Sequence, residues 1–205
     1  MTRTPTGTTA TIPAAGPMEL RVEKASMADI PALLALVNAN AARGIMLPRT
    51  EFEMAENLRD FSVIRVENGV VGCAALHFYT PTSAEVRSLA IDPAFQGRGA
   101  GKKLVEALEG EAQAFGLQSL FAFTYIPEFF RKLGFAEIER GALPLKAWKD
   151  CLRCPKFQCC DEIAVIKYFV ASSTGVSDTP VCRYEPFDDS VPSEAVRLPI
   201  PRPPH

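Results

Sequence analysis

The chain has 205 residues, of which 47% are hydrophobic and 22% charged, and its formal net charge is -2. This length and balance are typical of a globular protein with one core. The charge provides no basic field for nucleic acid, and no apolar run reaches the roughly 18 residues of a membrane span. Residues 1–17 lack the apolar core of a signal peptide, so we expect a cytoplasmic protein with neither nucleic acid nor a membrane as partner.

The two ends of the chain are predicted to lie outside the folded domain. We expect disordered tails at residues 1–17 and 171–205, and one domain at residues 18–170. The second tail is rich in proline, which lacks a backbone N–H and interrupts both helices and sheet ladders.

The first part of the domain reads as a strand followed by two capped helices. Residues 19–25 alternate like a strand, and Ser26, with an acid three positions later, predicts the start of a helix. Thr50 and Glu53 form a second capping box, which predicts a short helix ending near Asp60.

A hairpin is predicted next. Residues 61–67 and 70–79 are apolar, β-branched runs, and Asn68-Gly69 between them suits a two-residue turn. Residues 85–91 predict a further strand, which a turn closes.

The remaining elements complete a mixed sheet flanked by helices. Helical spacing spans residues 99–115, and a proline starts a short helix at residues 127–133. Strands are predicted over residues 119–124, 135–140 and 163–170. The order of elements therefore indicates an α/β domain.

The junction between the strand at 85–91 and the long helix is rich in glycine. Asp92-Pro93 is followed by the turn Gln96-Gly97-Arg98-Gly99-Ala100-Gly101. Glycines here let backbone amides face outward, and these amides with the positive end of the helix dipole form a receptor for a pyrophosphate. A plain helix entry is the alternative, whereas the spacing fits dinucleotide and Walker motifs poorly.

These segments resemble the central motifs of the GNAT superfamily of acetyltransferases. The shared features are the Q/R-x-x-G-x-G/A turn, the preceding "VRSLAIDP" strand and the downstream "FFRKLGF", and the resemblance covers about residues 19–170. It implies the GNAT fold, an α/β (α+β) architecture with a twisted, mixed and mostly antiparallel sheet flanked by helices. It also implies an enzyme that transfers acetyl from acetyl-CoA, its co-substrate, to an amine.

Four longer segments are similar to the acetyltransferase domain of N-acetylglutamate synthases. They are "GIMLPRT", "VVGCAALHFY", "AEVRSLAIDP" and "LFAFTYIPEFFRKLGF", and "LPLKAWKDCLRCPKFQCCDE" is similar to the short, stand-alone members of that group. The resemblance implies acetylation of the α-amino group of a small-molecule amino acid, L-glutamate first, as the opening step of arginine biosynthesis. Glutamine, another amine, a protein N-terminus and a non-catalytic acyl-CoA-binding module stay open as alternatives, as does a homo-oligomer.

The resemblance also assigns the cofactor-binding residues. The strand end is expected to splay from its neighbour and to lend backbone groups to the pantetheine arm, while its side chains pack in the core. The turn is expected to hold the pyrophosphate through its amides. The residues are Leu89, Ala90 and Ile91 on the strand and Gln96, Gly97, Arg98, Gly99, Ala100 and Gly101 in the turn.

Acetyl transfer to an amine needs a base, a stabilised oxyanion and an acid for the leaving thiolate. By the strand period of two, Glu85 and Arg87 share one face, which Leu89 and Ile91 should continue. Glu85 matches a carboxylate of the synthases that the chain resembles, so we assign it as general base acting through water. A structural ion pair with Arg87 is the alternative.

The general acid is less clearly marked. Many GNAT enzymes carry a tyrosine where this chain has Phe130, so Tyr125, at the end of the preceding strand, is the candidate. A packed aromatic is the alternative for Tyr125. His77 on an apolar strand is more typical of a structural histidine than of a catalytic one.

The carboxylates of an amino-acid acceptor require fixed cations. Arg49, Arg87 and Lys146 are the candidates, whereas Lys156 and Trp148 are weaker ones. Cysteines 151, 154, 159 and 160 have an unusual spacing for zinc and no export signal accompanies them, so we expect reduced thiols and no metal.

Overall fold

The computed structural model describes residues 20–66, 69–143, 151–152 and 154–169. The predicted tails, Asn68, Lys146 and Trp148 lie outside the described residues. None of the described helices is long and apolar enough to span a membrane. The elements within these ranges are β1 (Arg21–Lys24), α1 (Ile30–Ala42), α2 (Glu51–Glu56), β2 (Phe61–Val66), β3 (Gly69–Thr80), β4 (Ser83–Ile91), α3 (Ala100–Ala114), β5 (Ser119–Thr124), α4 (Pro127–Arg131), β6 (Ala136–Glu137) and β7 (Ile163–Tyr168).

The strands form one seven-stranded sheet in the order β1-β2-β3-β4-β5-β7-β6. Neighbouring strands are antiparallel except β4 and β5, which run parallel. α3 connects these two, since parallel neighbours need a long crossover. The predicted mixed, mostly antiparallel sheet is confirmed, and so is the hairpin pairing of β2 with β3.

Both predicted capping boxes are present. The amide of Ser26 donates to Oδ2 of Asp29 at 2.8 Å, and the amide of Glu53 donates to Oγ1 of Thr50 at 3.2 Å. These side chains satisfy amides that have no partner inside the helix. α2 ends at Glu56, one turn earlier than predicted, because the chain tightens into a 3-10 turn before β2.

β6 is shorter than the strand predicted at residues 135–140, since only Ala136–Glu137 pairs with β7. Beyond this point, the guanidinium of Arg140 donates to the backbone carbonyls of Cys160 and Glu162. One backbone hydrogen bond, from the amide of Ile138 to the carbonyl of Ala164, and the side chain of Arg140 therefore tie this segment to the neighbouring chain.

The core has one layer on each face of the sheet. α3 covers the first face, where Leu104 and Leu108 pack with Leu76. α1 covers the second face with Leu33 and Val37. All five side chains have no exposed surface, as expected for the apolar stripe of a helix on a sheet.

β4 and β5 separate part of the way along their length. Their parallel pairing is confined to residues 83–85 and 119–121. Past that point β4 continues to Ile91 along β3, while β5 pairs with β7 as far as Thr124. The predicted splay is therefore present, and it opens a wedge between the two strands.

A bulge in β4 corrects one expectation from the sequence. Cys73 pairs with Ala90 and Ala75 with Arg87, so two residues of β4, one of them Ser88, face a single residue of β3. Ser88 has a φ of 51°, a left-handed conformation that suits the extra residue of a bulge.

The bulge reverses the alternation of side chains. Ala90 packs with the core layer under α1, whereas Leu89 and Ile91 pack against the layer under α3. The partner of Arg87, Ala75, lies in the layer under α1. The prediction that Leu89 and Ile91 continue the face of Glu85 and Arg87 is therefore wrong, because an inserted residue breaks the period of two.

Candidate active site

A cavity of about 430 Å³ opens where β4 and β5 diverge. Its walls come from the loop between α1 and α2, the ends of β4 and β5, and the chain between β6 and β7. The cavity brings Arg49, Glu85, Arg87 and Tyr125 together, whereas Lys146 lies outside the described residues. The polar and charged residues around it are Asn40, Arg49, Glu85, Arg87, Ser88, Thr124, Tyr125, Arg140, Lys156 and Glu162.

Glu85 is a buried carboxylate in the wall of this cavity, with 8% of its surface exposed. Burial raises the pKa of Glu85, while the charge of Arg87 and a hydrogen bond from the hydroxyl of Tyr79 act in the opposite direction. Oε2 of Glu85 lies 3.5 Å from Nε of Arg87. The carboxylate therefore faces the cavity with its proton affinity increased.

Tyr79 is a contact of Glu85 that the sequence analysis missed. Burial, and then the charge of Glu85, raise the pKa of Tyr79, so its hydroxyl stays protonated and donates. Its ring packs against Phe121, with centroids 5.6 Å apart. The hairpin register places His77 opposite Glu85, so an aromatic two positions further on the same face was the available signal.

Tyr125 lies at the carboxyl end of β5 and is tied to the segment that precedes β7. Nζ of Lys156 lies 3.2 Å from its hydroxyl and 4.8 Å from the ring centroid. Nζ also lies 3.1 Å from Oδ2 of Asp161. Burial raises the pKa of Tyr125, and Lys156 lowers it. Phe130 is 3% exposed, packs in the core and also lines the cavity, but its ring has no proton to donate.

The two candidate arginines are held in different ways. Asn38 of α1 binds the backbone of Arg49 in both directions, with the amide and the carbonyl of Arg49 each 2.9 Å from the Asn38 side chain. Arg87 is placed by β4 and paired with Glu85. Both arginines line the cavity.

The glycine-rich turn has the open backbone that an anion site needs. Gly97 and Gly99 have φ values of 72° and 81°, and a Cβ built at either would meet no atom within 4 Å. The side-chain amide of Gln96 donates to the carbonyl of Ile91 at 3.1 Å and so fastens the turn to β4. Arg98 is exposed, with its guanidinium 5.7 Å from the ring centroid of Phe95.

The turn leads into the 15-residue helix α3, whose first amides have no acceptor inside the helix. Gly99 occupies the N-cap position, followed by Ala100 and Gly101. The open backbone, the helix N-terminus and Arg98 are together suited to the phosphates of coenzyme A. At the other end of the wedge, Leu89 lines the cavity. The backbone edge of β4 beside it is not paired with β5.

The described cysteines near the site are all free thiols. Cys151, Cys154 and Cys160 line the cavity, whereas Cys159 is exposed. Within the described ranges, no three His, Cys, Asp or Glu side chains are grouped so that they could hold a metal ion. The expected absence of zinc stays a prediction.

Two more residues of the site escaped the sequence analysis. Glu162 lines the cavity, and burial raises its pKa while Arg140 lowers it. Arg140 reaches the site because it fastens the end of β6 to the segment before β7. Glu162 is the last residue of a segment that carried the resemblance, but a single acid beside Asp161 gave no sign that it faces the site, and Arg140 lies outside all of those segments.

Comparison with known proteins identifies the class. A model of the acetyltransferase (GNAT) domain matches residues 57–137. An uncharacterized N-acetyltransferase of Chlorobaculum tepidum is 40% identical over 146 residues, which are 71% of this chain and 94% of that protein. The chain therefore belongs to the GNAT family of acetyltransferases. It is an N-acetyltransferase, and acetyl-CoA is the co-substrate of this family.

Other relatives narrow the comparison to one group within the family. An amino-acid acetyltransferase of Mycobacterium tuberculosis is 36% identical over 135 residues, which are 64% of this chain and 77% of that protein. An amino-acid acetyltransferase of Pseudomonas putida is 33% identical over 125 residues, which are 60% of this chain but only 29% of that protein.

Solved structures give the same grouping. N-acetylglutamate synthase from Neisseria gonorrhoeae, complexed with coenzyme A and N-acetyl-glutamate, superposes with a TM-score of 0.68 at 25% identity. That match covers 75% of this chain and 36% of the synthase. The Mycobacterium tuberculosis protein Rv2747, in complex with CoA, superposes with a TM-score of 0.64 at 28% identity, covering 73% of this chain and 99% of that one.

Proposed function

We propose that this protein transfers acetyl from acetyl-CoA to the α-amino group of an amino acid, with L-glutamate as acceptor. The reaction would be the first step of arginine biosynthesis. One observation carries the proposal: a buried carboxylate, Glu85, and two arginines, Arg49 and Arg87, border one cavity at the strand splay. The relatives named amino-acid acetyltransferases support the same class of acceptor.

Glu85 is proposed as the general base. An ammonium group must lose a proton before its nitrogen can attack a thioester carbonyl. Burial moves the pKa of Glu85 upward, toward neutral pH. A base whose pKa lies near the working pH both accepts and releases a proton efficiently. Tyr79 and Arg87 hold the carboxylate in place on the cavity wall.

Arg49 and Arg87 are proposed to bind the acceptor carboxylates, because a guanidinium offers the planar pair of donors that a carboxylate accepts. The loop that carries Arg49 is fastened to α1 through Asn38, which limits the freedom that binding would otherwise remove. Lys146 is proposed as a third cation on the strength of the family resemblance.

Acetyl-CoA supplies an activated acyl group on sulfur when it is bound. The backbone from Leu89 to Ile91 is proposed to contact the pantetheine arm, since β4 has no β5 partner there. The amides from Gly97 to Gly101 are proposed to hold the pyrophosphate, with Gln96 fixing the turn and Arg98 adding charge.

Tyr125 is proposed as the acid that protonates the leaving thiolate. Tyr125 lines the cavity at the end of β5, which is the strand across the splay from Glu85. The ammonium of Lys156, 3.2 Å from the hydroxyl, would favour release of the proton.

The proposal is tested by measuring thiol release from acetyl-CoA with a panel of acceptors at equal concentration. We expect glutamate to give the highest kcat/KM, with glutamine and aspartate below it. Spermidine should be poor, because its positive charges would meet the two arginines. A preference for polyamines or peptide N-termini would refute the amino-acid acceptor, and coenzyme A binding without turnover of any amine would indicate a binding module.

A further inference from the structure

A half-buried polar pair, His77 and Asp60, lies next to Glu85 in the sheet. His77 is on β3, directly opposite Glu85 in the antiparallel register. Nδ1 of His77 lies 2.7 Å from Oδ2 of Asp60, and the two side chains are 27% and 23% exposed. The pair therefore connects the inner part of the sheet with solvent.

The cross-strand pairing brings His77 close to the carboxylate. Directly opposed residues of an antiparallel pair have Cβ atoms about 5 Å apart. The charge of His77 influences the pKa of Glu85, which agrees with this proximity. The ring of His77 also meets the ring of Tyr79 edge to face, with centroids 5.1 Å apart, so His77 packs against the residue whose hydroxyl donates to Glu85.

A second, small cavity adjoins the pair. It has a volume of about 20 Å³, and its walls include Asp60, His77, Arg87 and Ser88. This volume is sufficient for one water molecule among polar partners. Arg49, Arg87 and Ser88 line both cavities, so the small cavity adjoins the main one.

The reaction requires an exit for a proton. When an ammonium group is acetylated by a thioester, a C–N bond forms and a C–S bond breaks. The nitrogen loses two protons in all, of which the leaving sulfur takes one, so one proton passes to solvent in each turnover. While the acceptor and the co-substrate occupy the cavity beside Glu85, His77 offers a second path by which this proton can reach solvent.

We propose that His77, oriented by Asp60, takes the proton from Glu85 and passes it to solvent. The inference rests on the proposed role of Glu85 as base, and it makes His77 a positioning residue that acts through Glu85. An Nδ1–H that donates to Asp60 leaves a lone pair on Nε2, and imidazole accepts and releases protons near neutral pH. A glutamine or asparagine at this position could not do so.

Several other charged or titratable groups face this histidine. Glu85 and Arg87 approach it from β4, and Tyr79 lies beside it on β3. The remaining ones are Asp60, which precedes β2, and Arg49 and Glu53, which line the small cavity. These groups together form the electrostatic surroundings of His77.

The test compares His77→Asn with the wild-type enzyme, using the best acceptor of the panel. Asparagine keeps an N–H donor for Asp60 but cannot carry a proton. We expect kcat to fall roughly tenfold in dilute buffer, a loss at the low end of general acid–base effects. Imidazole at high concentration should restore most of the rate. Glu137→Gln, which removes a surface carboxylate paired with Arg131, is the control and should behave like wild type.

Each outcome decides one question. An unchanged kcat, or a fall that imidazole does not restore, would overturn the relay. Asp60→Asn should lower kcat less and should shift the pH profile, because its role is to orient the ring. If glutamate is not the best acceptor but the imidazole effect is present, the acceptor assignment fails and the relay stands. Full activity of Glu85→Gln would remove the basis of both the base and its relay.

Discussion

Nε of Arg87 lies 3.5 Å from Oε2 of Glu85, and the two side chains are only 14% and 11% exposed. A pair so well shielded from solvent couples the two groups strongly, since screening by water is reduced. The proposed base and one proposed acceptor cation are therefore neighbours on one strand. Changing either residue should alter the pH dependence as well as the rate.

Replacing Glu85 with glutamine should lower kcat roughly 100-fold or more, because the amide cannot accept the proton of the amine. Activity of the wild type should be lost as the pH falls through the raised pKa of Glu85, since only the carboxylate form acts as a base. The variant should lack that acidic limb. Affinity for acetyl-CoA, measured by calorimetry, should stay unchanged. A wild-type rate and pH profile would show that Glu85 is structural.

Replacing Arg87 with methionine should move the acidic limb to higher pH. Arg87 lowers the pKa of Glu85, so its loss lets burial raise that pKa further. The KM for glutamate should rise roughly tenfold or more, as expected for a lost charge-assisted hydrogen bond. The matched variant Arg49→Met should raise the same KM but leave the limb in place. Identical shifts in both variants would contradict the assignment.

Replacing Gly99 with glutamate should abolish binding of acetyl-CoA, because a negative charge would stand where the phosphates are proposed to approach the turn. Gly99 has a φ of 81°, so any side chain costs about 1 kcal/mol in strain, although no neighbouring atom blocks it. Gly99→Gln carries the same strain without the charge, and it should bind more tightly than the glutamate variant. Calorimetry and thermal unfolding of both would separate charge from strain, and equal affinities would exclude this turn.

Replacing Tyr125 with phenylalanine should lower kcat and remove the basic limb of the pH profile, if its hydroxyl protonates the thiolate. Lys156→Met provides the comparison, since it keeps the hydroxyl and removes the ammonium 3.2 Å away. Because Lys156 lowers the pKa of Tyr125, that variant should move the basic limb to higher pH. If the Tyr125→Phe variant keeps the wild-type pH profile, Tyr125 is not the acid and serves only to hold the loop that carries Lys156.

Local patterns in the sequence were sufficient for most of the elements. Hydrophobic periodicity and two capping boxes predicted α1, α2 and α3, and the strand at residues 119–124 has the bounds of β5. The glycine turn could also be predicted from the sequence, because the positive φ angles at Gly97 and Gly99 favour glycine. These features depend on residues a few positions apart, so the local sequence is sufficient to predict them.

The orientation of the site was decided by tertiary structure. The bulge at Ser88 arises from the register between β3 and β4, and it sends Leu89 and Ile91 to the face opposite Glu85 and Arg87. No pattern within β4 marks that inserted residue. The contact of Tyr79 with Glu85 likewise depends on which residues two strands place opposite each other.

The chain by itself determined the type of chemistry, since the glycine turn and the motifs around it indicate an acyl-CoA enzyme without reference to any long-range contact. Only the tertiary structure decided which side chains meet in the cavity. Arg49, Glu85, Tyr125 and Glu162 come from four separate parts of the chain. Their proximity follows from sheet order, the splay of β4 from β5 and the burial of two core layers, and these are properties of the whole packed domain rather than of any one segment.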